Sequence, residues 1–171
     1  MNKKIIECKV KVTDTARALS NLLKLNPLFK GEDHQIDTYF NATVGRLKLR
    51  EGNIENALIQ YNRENLAGTK LSQVILYKHE PSPALKEILT TQLGVIVTVD
   101  KLRKIYFVDN VKFHFDEVKG LGSFVEIEAI DEDGSLEIAQ LQQQCDEYIK
   151  ILELDRADMQ THSYSDMLLN P

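Results

Sequence analysis

Arginine and lysine alternate with leucine in one short segment, GRLKLRE, which runs from Gly45 to Glu51. Residues two positions apart share one face of a β-strand, so Arg46, Lys48 and Arg50 would form a row of cations opposite a row of leucines. Guanidinium groups bind phosphate through paired hydrogen bonds, and ammonium groups bind it as point charges. The segment therefore predicts a local anion site in a chain whose net charge is −5.

The same two-residue period gives most of the other strand-like segments one charged face. The cations on these faces are Lys9, Lys11, Arg46, Lys48, Arg50, Arg63, Lys70, Lys101, Arg103 and Lys112. The carboxylates on them are Glu7, Asp116, Glu126 and Glu128. These ten cations and four carboxylates give the combined face a balance of +6, so the remainder of the chain carries −11. Hard carboxylate oxygens suit Mg²⁺ or Mn²⁺.

Two arrangements of a sheet would account for such a face. A sheet with one solvated face usually shows alternating charge. A solvated face has no reason to segregate charge by sign, however, and like charges opposite one another across strands are unfavourable. Eight strands closed into a barrel would instead enclose a lumen wide enough for side chains or one small ligand. A lumen lined by these cations would need a polyanion or counterions to fill it.

The periodicity of the whole chain predicts the elements that would carry these faces. Alternation predicts eight strands, at residues 4–12, 34–40, 45–51, 56–63, 69–79, 95–108, 111–118 and 123–130. Helical spacing predicts helices at 13–25, 82–93 and about 135–152, and a short helical tail in SYSDMLL. Asp109 and Asn110 suit a two-residue hairpin turn. The prediction is one α+β domain over residues 1–171, a closed antiparallel barrel with helices packed outside.

Composition narrows the classes of function. Hydrophobic residues at 43% and charged residues at 27% are typical of a globular protein. The chain contains no apolar run long enough to span a bilayer and does not begin like a signal peptide, so we expect a cytoplasmic protein without a membrane partner. The acidic pI of about 5.4 argues against general nucleic-acid binding. Cys8 and Cys145 lack metal or disulfide spacing and are predicted to be plain thiols.

Six segments occur in an order that is informative. They are IIECK, QIDTYF, GRLKLRE, YNRENLAGTKLS, VDKLRKIYFVDNVKFHFDEVKGLGSFVEIE and SYSDMLL. Together they resemble the CYTH family, the triphosphate tunnel metalloenzymes that include class IV adenylyl cyclases and thiamine or inorganic triphosphatases. QIDTYF and GRLKLRE look most like the cyclase branch. The resemblance implies an eight-stranded tunnel whose basic side chains bind a triphosphate and whose acidic side chains bind Mg²⁺ or Mn²⁺.

Phosphate and metal chemistry assigns roles to these residues. The predicted triphosphate ligands are Lys9, Lys11, Arg46, Arg50, Arg63, Lys70, Arg103 and Lys112. Lys48 and Lys101 are weaker candidates, because they lie near strand ends. The predicted metal ligands are Glu7, Asp116, Glu126 and Glu128, and the predicted catalytic residues are Glu126, Asp116 and Arg63. His114 lies among cations, which favours a neutral hydrogen-bonding partner over a base.

One position departs from the resemblance. The family's amino-terminal motif is ExExK, and Ile5, Glu7 and Lys9 occupy its three fixed positions. Loss of the first carboxylate leaves three outcomes open: one metal in place of two, a water in the missing ligand's place, or binding without turnover. The leading prediction is cyclisation of ATP to cAMP and pyrophosphate. Inorganic, nucleoside or thiamine triphosphatase activity and a non-catalytic polyphosphate-binding module are the alternatives, in a monomer or homodimer.

Overall fold

The computed structural model describes residues 4–63 and 70–171, of which residues 63 and 70–73 are described by their backbone alone. The strands are β1 Lys4–Val12, β2 Leu28–Phe40, β3 Arg46–Glu51, β4 Ala57–Arg63, β5 Lys70–Lys78, β6 Val95–Val108, β7 Val111–Val118 and β8 Gly122–Asp131. The helices are α1 Thr15–Leu23, α2 Pro83–Leu93, α3 Ile138–Ile151 and α4 Tyr164–Leu169, with a 3₁₀ turn at Arg156–Asp158.

The eight strands form one antiparallel sheet in the order β1-β5-β4-β3-β2-β6-β7-β8. β1 pairs with β8 along its whole length, from Lys4 with Asp131 to Val12 with Ser123. Its pairing with β5 is shorter among the residues that the structure describes, where it covers two positions, Ile6 with Leu71 and Glu7 with Lys70. The predicted α+β class and eight antiparallel strands are confirmed. Closure of the sheet into a complete barrel is not confirmed by so short a pairing.

The predicted alternation separates the two faces of the sheet. Apolar side chains of β1, β7 and β8 form the main core with α1 and α3. In β1, for example, Ile6 and Cys8 are buried in this core, whereas Glu7 and Lys9 line a cavity on the other face. Both cysteines are free and buried. Burial of the apolar rows drives the helices onto one face of the sheet and leaves the charged rows together on the other.

Most predicted boundaries are accurate to within a few residues. β1 and β7 begin and end where the alternation predicts. The turn between β6 and β7 is Asp109-Asn110, and Asp109 takes the positive φ of 49° that this tight turn requires. β2 starts six residues before the predicted residue 34, because Leu28 to Asp33 pair with the end of β6 through a register shift near Gly31. The sequence of residues 28–33 does not alternate apolar and polar side chains, so the pattern could not predict this part of β2.

The short helix α4 lies at one end of the cavity. Its first residue, Tyr164, packs edge-on against Phe124 with ring centroids 5.0 Å apart. These rings belong to a second apolar cluster, which includes Tyr39, Tyr61 and Val99 of the surrounding strands. We call this the closed end of the cavity. Within the described ranges, no helix is long and apolar enough to cross a membrane.

Candidate active site

The charged face of the sheet encloses a cavity of about 970 Å³. The cations among its described lining residues are Lys9, Lys30, Lys48, Arg50, Lys78, Lys101, Arg103 and Lys112. The carboxylates among them are Glu7, Asp37, Glu55, Glu80, Glu126, Glu128 and Glu132. Among the described lining residues, eight cations therefore face seven carboxylates, so the cavity carries counter-charges for most of its described cations.

Asp37 is the counter-charge for three cations. Its carboxylate, which is 2% exposed, accepts hydrogen bonds from Lys48 at 2.9 Å, Lys101 at 3.0 Å and the Arg50 guanidinium at 2.8 Å. β2 places Asp37 directly across from Arg50 in the register with β3. Burial acts to raise the pKa of Asp37, but the three cations hold it well below its ordinary value. Asp37 is therefore an anion at neutral pH.

Glu55 supplies a second counter-charge from the loop between β3 and β4. It accepts from Lys112 at 2.6 Å and from Arg50 at 3.0 Å. Burial acts to raise its pKa, but Lys112 and Arg50 lower it. The loop is held by Asp33, which accepts from the backbone N–H groups of Ile54 and Glu55 at 2.9 and 3.0 Å. The carboxylate thus reaches into the cavity from a loop rather than from the sheet.

Glu126 of β8 is the carboxylate partner of two further cations, Lys9 and Arg103. It accepts hydrogen bonds from Arg103 at 2.7 Å and from His114 at 3.1 Å, and it forms an ion pair with Lys9 at 3.1 Å. The register of β8 places Glu126 across from Lys9 on one side and His114 on the other. Burial acts to raise the pKa of Glu126, but Lys9 and Arg103 lower it well below its ordinary value.

Arg103 is held in position by the carboxylate of Asp116, near the closed end of the cavity. Its guanidinium donates to both carboxylate oxygens of Asp116, and the distance from Nε is 2.7 Å. Tyr164 of α4 donates to the same carboxylate at 2.7 Å. Asp116 is 1% exposed and does not line the cavity among the described residues. The carboxylate therefore fixes the Arg103 fork that the cavity presents.

Three side chains could together hold a metal ion. His114, Glu126 and Glu128 each offer a ligand atom, and these atoms lie within 4.8 Å of one another. Nδ1 of His114 lies 3.6 Å from Glu128 in addition to its contact with Glu126, and its buried Nε2 has no hydrogen-bond partner among the described residues. Carboxylates and imidazole are ligands for Mn²⁺ and other divalent ions. The donor set fits a divalent cation.

Comparison with known proteins identifies the family. The family model described as CYTH domain matches residues 3–164. The chain belongs to the CYTH domain family. CYTH proteins are metal-dependent enzymes that bind triphosphate substrates. The resemblance that the sequence carries is therefore confirmed at the level of the family.

Individual relatives share the CYTH fold. A protein of Methanocaldococcus jannaschii named "Putative adenylate cyclase" is 29% identical over 133 residues, which cover 72% of this chain and 75% of that relative. The structure of a conserved hypothetical protein from Pyrococcus furiosus has a TM-score of 0.79 and 22% identity, covering 95% of this chain and 98% of its own. A Hippeastrum protein described as a "putative adenylyl cyclase" with dominant triphosphatase activity has a TM-score of 0.64 and 14% identity, covering 98% of this chain and 94% of its own. At these identities the solved structures show the fold alone.

The CYTH cavity brings together most of the residues that the sequence singles out. The predicted ligands that line it are Glu7, Lys9, Arg50, Arg103, Lys112, Glu126 and Glu128. Lys48 and Lys101, ranked lower because they lie near strand ends, also line it. The reason for ranking them lower is wrong, because Lys48 lies inside β3 (Arg46–Glu51) and Lys101 lies in the middle of β6 (Val95–Val108).

Three predicted residues do not line this cavity among the described residues. Lys11 is exposed and lies 5.9 Å from the ring of Phe124, beyond the closed end. Arg46 donates to Ser163 at 2.8 Å and to Asp166 at 3.1 Å, so it anchors α4. Asp116 lies behind Arg103, as described above. Their roles as phosphate or metal ligands stay predictions, as do those of Arg63 and Lys70, whose side chains are outside the described part of the chain.

Four carboxylates that line the cavity are absent from the sequence prediction, Asp37, Glu55, Glu80 and Glu132, and the first two bind the cations described above. Asp37 shares the parity of Gln35 and Tyr39 in QIDTYF, so the two-residue period applied to that strand would have found it. Glu55 lies in a loop, where no periodicity applies. A signal for that loop is Gly52, where a Cβ atom would lie 2.6 Å from Oδ1 of Asp33 and 2.8 Å from the Glu55 carbonyl oxygen. A side chain at that position would displace the loop that carries Glu55.

Proposed function

We propose that this CYTH protein is a metal-dependent enzyme that acts on a triphosphate inside a tunnel formed by the eight strands. Cyclisation of ATP to cAMP and pyrophosphate is the leading reaction. The observation that carries the proposal is the convergence, in one cavity, of buried phosphate-binding cations with the group His114, Glu126 and Glu128. Phosphoryl and nucleotidyl transfer require positioning and charge stabilisation more than covalent chemistry from the protein.

The cations of the cavity bind the phosphates in this proposal. Arg50, Lys48 and Lys101 surround Asp37, and Arg103 and Lys9 converge on Glu126. Each of these groups has a carboxylate partner, so the cavity is stable without ligand. A triphosphate presents many more anionic oxygens than these carboxylates do, and the cations can share their hydrogen bonds with it. Lys112, held by the loop residue Glu55, adds a further cation that can share its hydrogen bonds with the phosphates.

His114, Glu126 and Glu128 are the residues that would hold a divalent cation. When bound, such a cation neutralises phosphate oxygens and polarises the phosphorus under attack. Glu126 links this group to Lys9 and Arg103, so the metal ligands and the phosphate-binding cations share one carboxylate. Movement of Lys9 and Arg103 from Glu126 toward the substrate would free the carboxylate for the cation.

The identity of the attacking group separates the two candidate reactions. In the cyclase, the ribose 3′-hydroxyl attacks the α-phosphate and pyrophosphate leaves. In the triphosphatase, water attacks the terminal phosphate, and the description of the Hippeastrum protein, which shares the fold, supports this alternative. The name of the Methanocaldococcus relative supports the cyclase. Ile5, in place of the family's first carboxylate, motivates a third candidate that binds polyphosphate without turnover.

Incubation with ATP and Mn²⁺ separates these three candidates. We expect cAMP and pyrophosphate in equal amounts, detected by chromatography. Release of free phosphate with ADP would assign the triphosphatase reaction instead. Unchanged ATP, together with measurable ATP binding in calorimetry, would leave the binding module and would contradict the enzyme.

Lys101 predicts that triphosphate binding takes up a proton. Burial is the largest cause that lowers the pKa of Lys101, to about 7, and Arg50 and Arg103 lower it further against the effect of Asp37. A bound triphosphate adds negative charge and raises the pKa of Lys101. At pH 8 the Lys101 amine is therefore mostly neutral in the free protein and protonated in the complex. We expect nearly one proton to be taken up and affinity to fall between pH 7 and pH 9.

Calorimetry in two buffers of different ionisation enthalpy measures that proton. Lys101→Arg is the matched control, since a guanidinium stays charged throughout this range. The variant should bind tripolyphosphate with little proton uptake and a flatter pH dependence. Equal proton uptake by the two proteins would assign the titration to another group.

A further inference from the structure

The end of the cavity opposite α4 is its open end. Arg46 at the start of β3 bonds to α4, so the end of β3 and the loop of residues 52–56 that follows it lie at the open end. The registers of β2, β6 and β7 bring Lys112, near the start of β7, to the same end. The described charged residues that line the open end are Lys30, Lys78, Lys112, Glu55, Glu80 and Glu132. The entrance therefore presents anions as well as cations.

The ion pair between Glu55 and Lys112 crosses the cavity at this end. Glu55 follows β3, whereas Lys112 lies on β7, and β2 and β6 separate these two strands in the sheet. Neighbouring strands lie about 4.8 Å apart, which puts β3 and β7 about 14 Å apart along the wall. Oε1 of Glu55 nevertheless lies 2.6 Å from Nζ of Lys112. The contact thus runs across the opening rather than along the sheet.

Glu55 occupies donors that a phosphate group would use. Its second oxygen, Oε2, accepts from Arg50 at 3.0 Å and from the amide of Gln35 at 3.1 Å. Burial acts to raise the pKa of Glu55, but Lys112 and Arg50 lower it, so the group is an anion at neutral pH. A phosphate that binds Lys112 and Arg50 would lie beside this carboxylate, and adjacent anions repel one another.

Glu55 is the most accessible of the three carboxylates that hold the cations of the cavity. Its side chain is 28% exposed, compared with 2% for Asp37 and 11% for Glu126. Asp37 and Glu126 project from β2 and β8, and both of these strands are paired on their two sides. Glu55 belongs to a loop, so its side chain can turn toward solvent without disturbing the sheet. An entering anion would therefore displace Glu55 more easily than the other two.

We infer that Glu55 is an internal competitor of the phosphate ligand, one that binds Lys112 and Arg50 in the empty cavity, leaves them when the phosphate chain enters, and returns to them after turnover. This inference rests on the proposed function. Pyrophosphate has fewer phosphate groups than the substrate and makes fewer contacts with the cations. Glu55 would regain Lys112 and Arg50 more readily from this product than from the triphosphate, and so would favour its release.

The sign of the effect of Glu55→Gln on binding tests the inference. Glutamine keeps the size of the side chain and removes the charge that competes with phosphate. Calorimetry in metal-free buffer should show tripolyphosphate and pyrophosphate each binding about five- to tenfold more tightly to the variant, the scale of one charge-assisted hydrogen bond. A Glu55 that merely orients Lys112 for the ligand would give the opposite result, because its loss would weaken binding of both anions.

Glu80→Gln is the matched control. Glu80 lines the same end of the cavity, and in the described part of the chain the hydrogen bonds of Lys112 and Arg50 go to Glu55 and Asp37 instead. The control variant loses the same charge from the same region, so it measures the general electrostatic effect alone. We expect it to tighten tripolyphosphate binding by less than about twofold.

Gly52→Ala provides a second route that leaves every charge in place. A Cβ atom at this position would lie 2.6 Å from Oδ1 of Asp33 and 2.8 Å from the carbonyl oxygen of Glu55, so it would shift the loop that positions the carboxylate. We expect tripolyphosphate to bind about two- to fivefold more tightly to this variant, which decides the matter if melting curves show that Glu55→Gln does not fold.

Weaker or unchanged binding of tripolyphosphate by folded Glu55→Gln would overturn the inference while leaving the proposed function in place. Equal tightening by Glu55→Gln and Glu80→Gln would also overturn it, since the contacts with Lys112 and Arg50 would then have no special effect. Failure of the natural protein to bind tripolyphosphate, with or without Mn²⁺, would overturn both the inference and the proposed function.

Discussion

Glu126→Gln is expected to lower turnover by at least about 100-fold, the scale on which a single preorganised charge contributes to catalysis. The change preserves the shape of the side chain and removes one negative charge from the group His114, Glu126 and Glu128. It weakens the group that would hold a divalent cation, which is the species that would polarise the phosphorus under attack. A steady-state assay with ATP and Mn²⁺ measures the loss.

The same variant should retain or strengthen metal-free binding of triphosphate. Lys9 and Arg103 now direct hydrogen bonds and charge to Glu126, and both become available to phosphate when that charge is removed. Glu117→Gln is the matched control, because Glu117 is exposed on the outer face of β7 and should leave turnover unchanged. Near-normal turnover in Glu126→Gln, or loss of triphosphate binding in a folded variant, would contradict the assignment of acids to metal and bases to phosphate.

Lys112→Ala removes a positive charge from the same cavity, whereas Glu126→Gln removes a negative one. Lys112 lines the cavity and has Glu55 as its partner at 2.6 Å, so its loss should weaken triphosphate binding and spare metal binding. Arg46 would have been chosen for this test from the sequence alone. The structure makes Arg46 a poor choice, because it bonds to Ser163 and Asp166 and its loss would disturb α4 as well.

The strands and their faces could be predicted because burial of one face imposes a two-residue period. This period correctly separates Glu7 and Lys9 from Ile6 and Cys8, for example. The position of Glu55 could not be predicted in this way, because a loop has no period and its path depends on hydrogen bonds to Asp33. The pairing of charges was also hidden, since it depends on which strands are neighbours rather than on any one strand.

The amount of positive charge in the cavity is another property that the alternation within single strands did not predict. Counting alternating positions gave a face with a balance of +6, whereas the described lining residues contain eight cations and seven carboxylates. Lys30 and Lys78 add cations, but Asp37, Glu55, Glu80 and Glu132 add more carboxylates. Ten cations in one lumen without such partners would repel one another strongly. The fold therefore requires internal anions, which a count that leaves out QIDTYF and the loops does not reveal.

Asp37→Asn is expected to destabilise the fold by about 3 kcal/mol or more, the cost of removing one partner from a buried ion pair. Three cations share this carboxylate, and Asn would leave Lys48 and Lys101 without their described carboxylate partner and Arg50 with Glu55 alone. Urea unfolding measures the change. Asp109→Asn is the matched control, because Asp109 is exposed in a turn whose positive φ asparagine tolerates, and its stability should change by less than about 0.5 kcal/mol.

Acid should abolish the difference between Asp37→Asn and the natural protein. The pKa of Asp37 in the fold is held well below its ordinary value, so its stabilisation is fully present above that ordinary value, near pH 4, and is lost as pH falls through the folded pKa. Unfolding free energies of the two proteins should therefore converge in strong acid and stay far apart at pH 7. A constant difference across this range would show that Asp37 acts through packing rather than charge.

Tripolyphosphate should partly reverse the effect of Asp37→Asn at pH 7, because it supplies the anion that the three cations have lost. A ligand that binds only the folded state stabilises it by mass action, so the rise in melting temperature should be larger for the variant than for the natural protein. Sulfate at equal ionic strength should raise both melting temperatures much less, since it cannot span Arg50, Lys101 and Arg103 together. Equal rises from the two salts would mean that the cations respond to general screening, and the cavity would then have no preference for a phosphate chain.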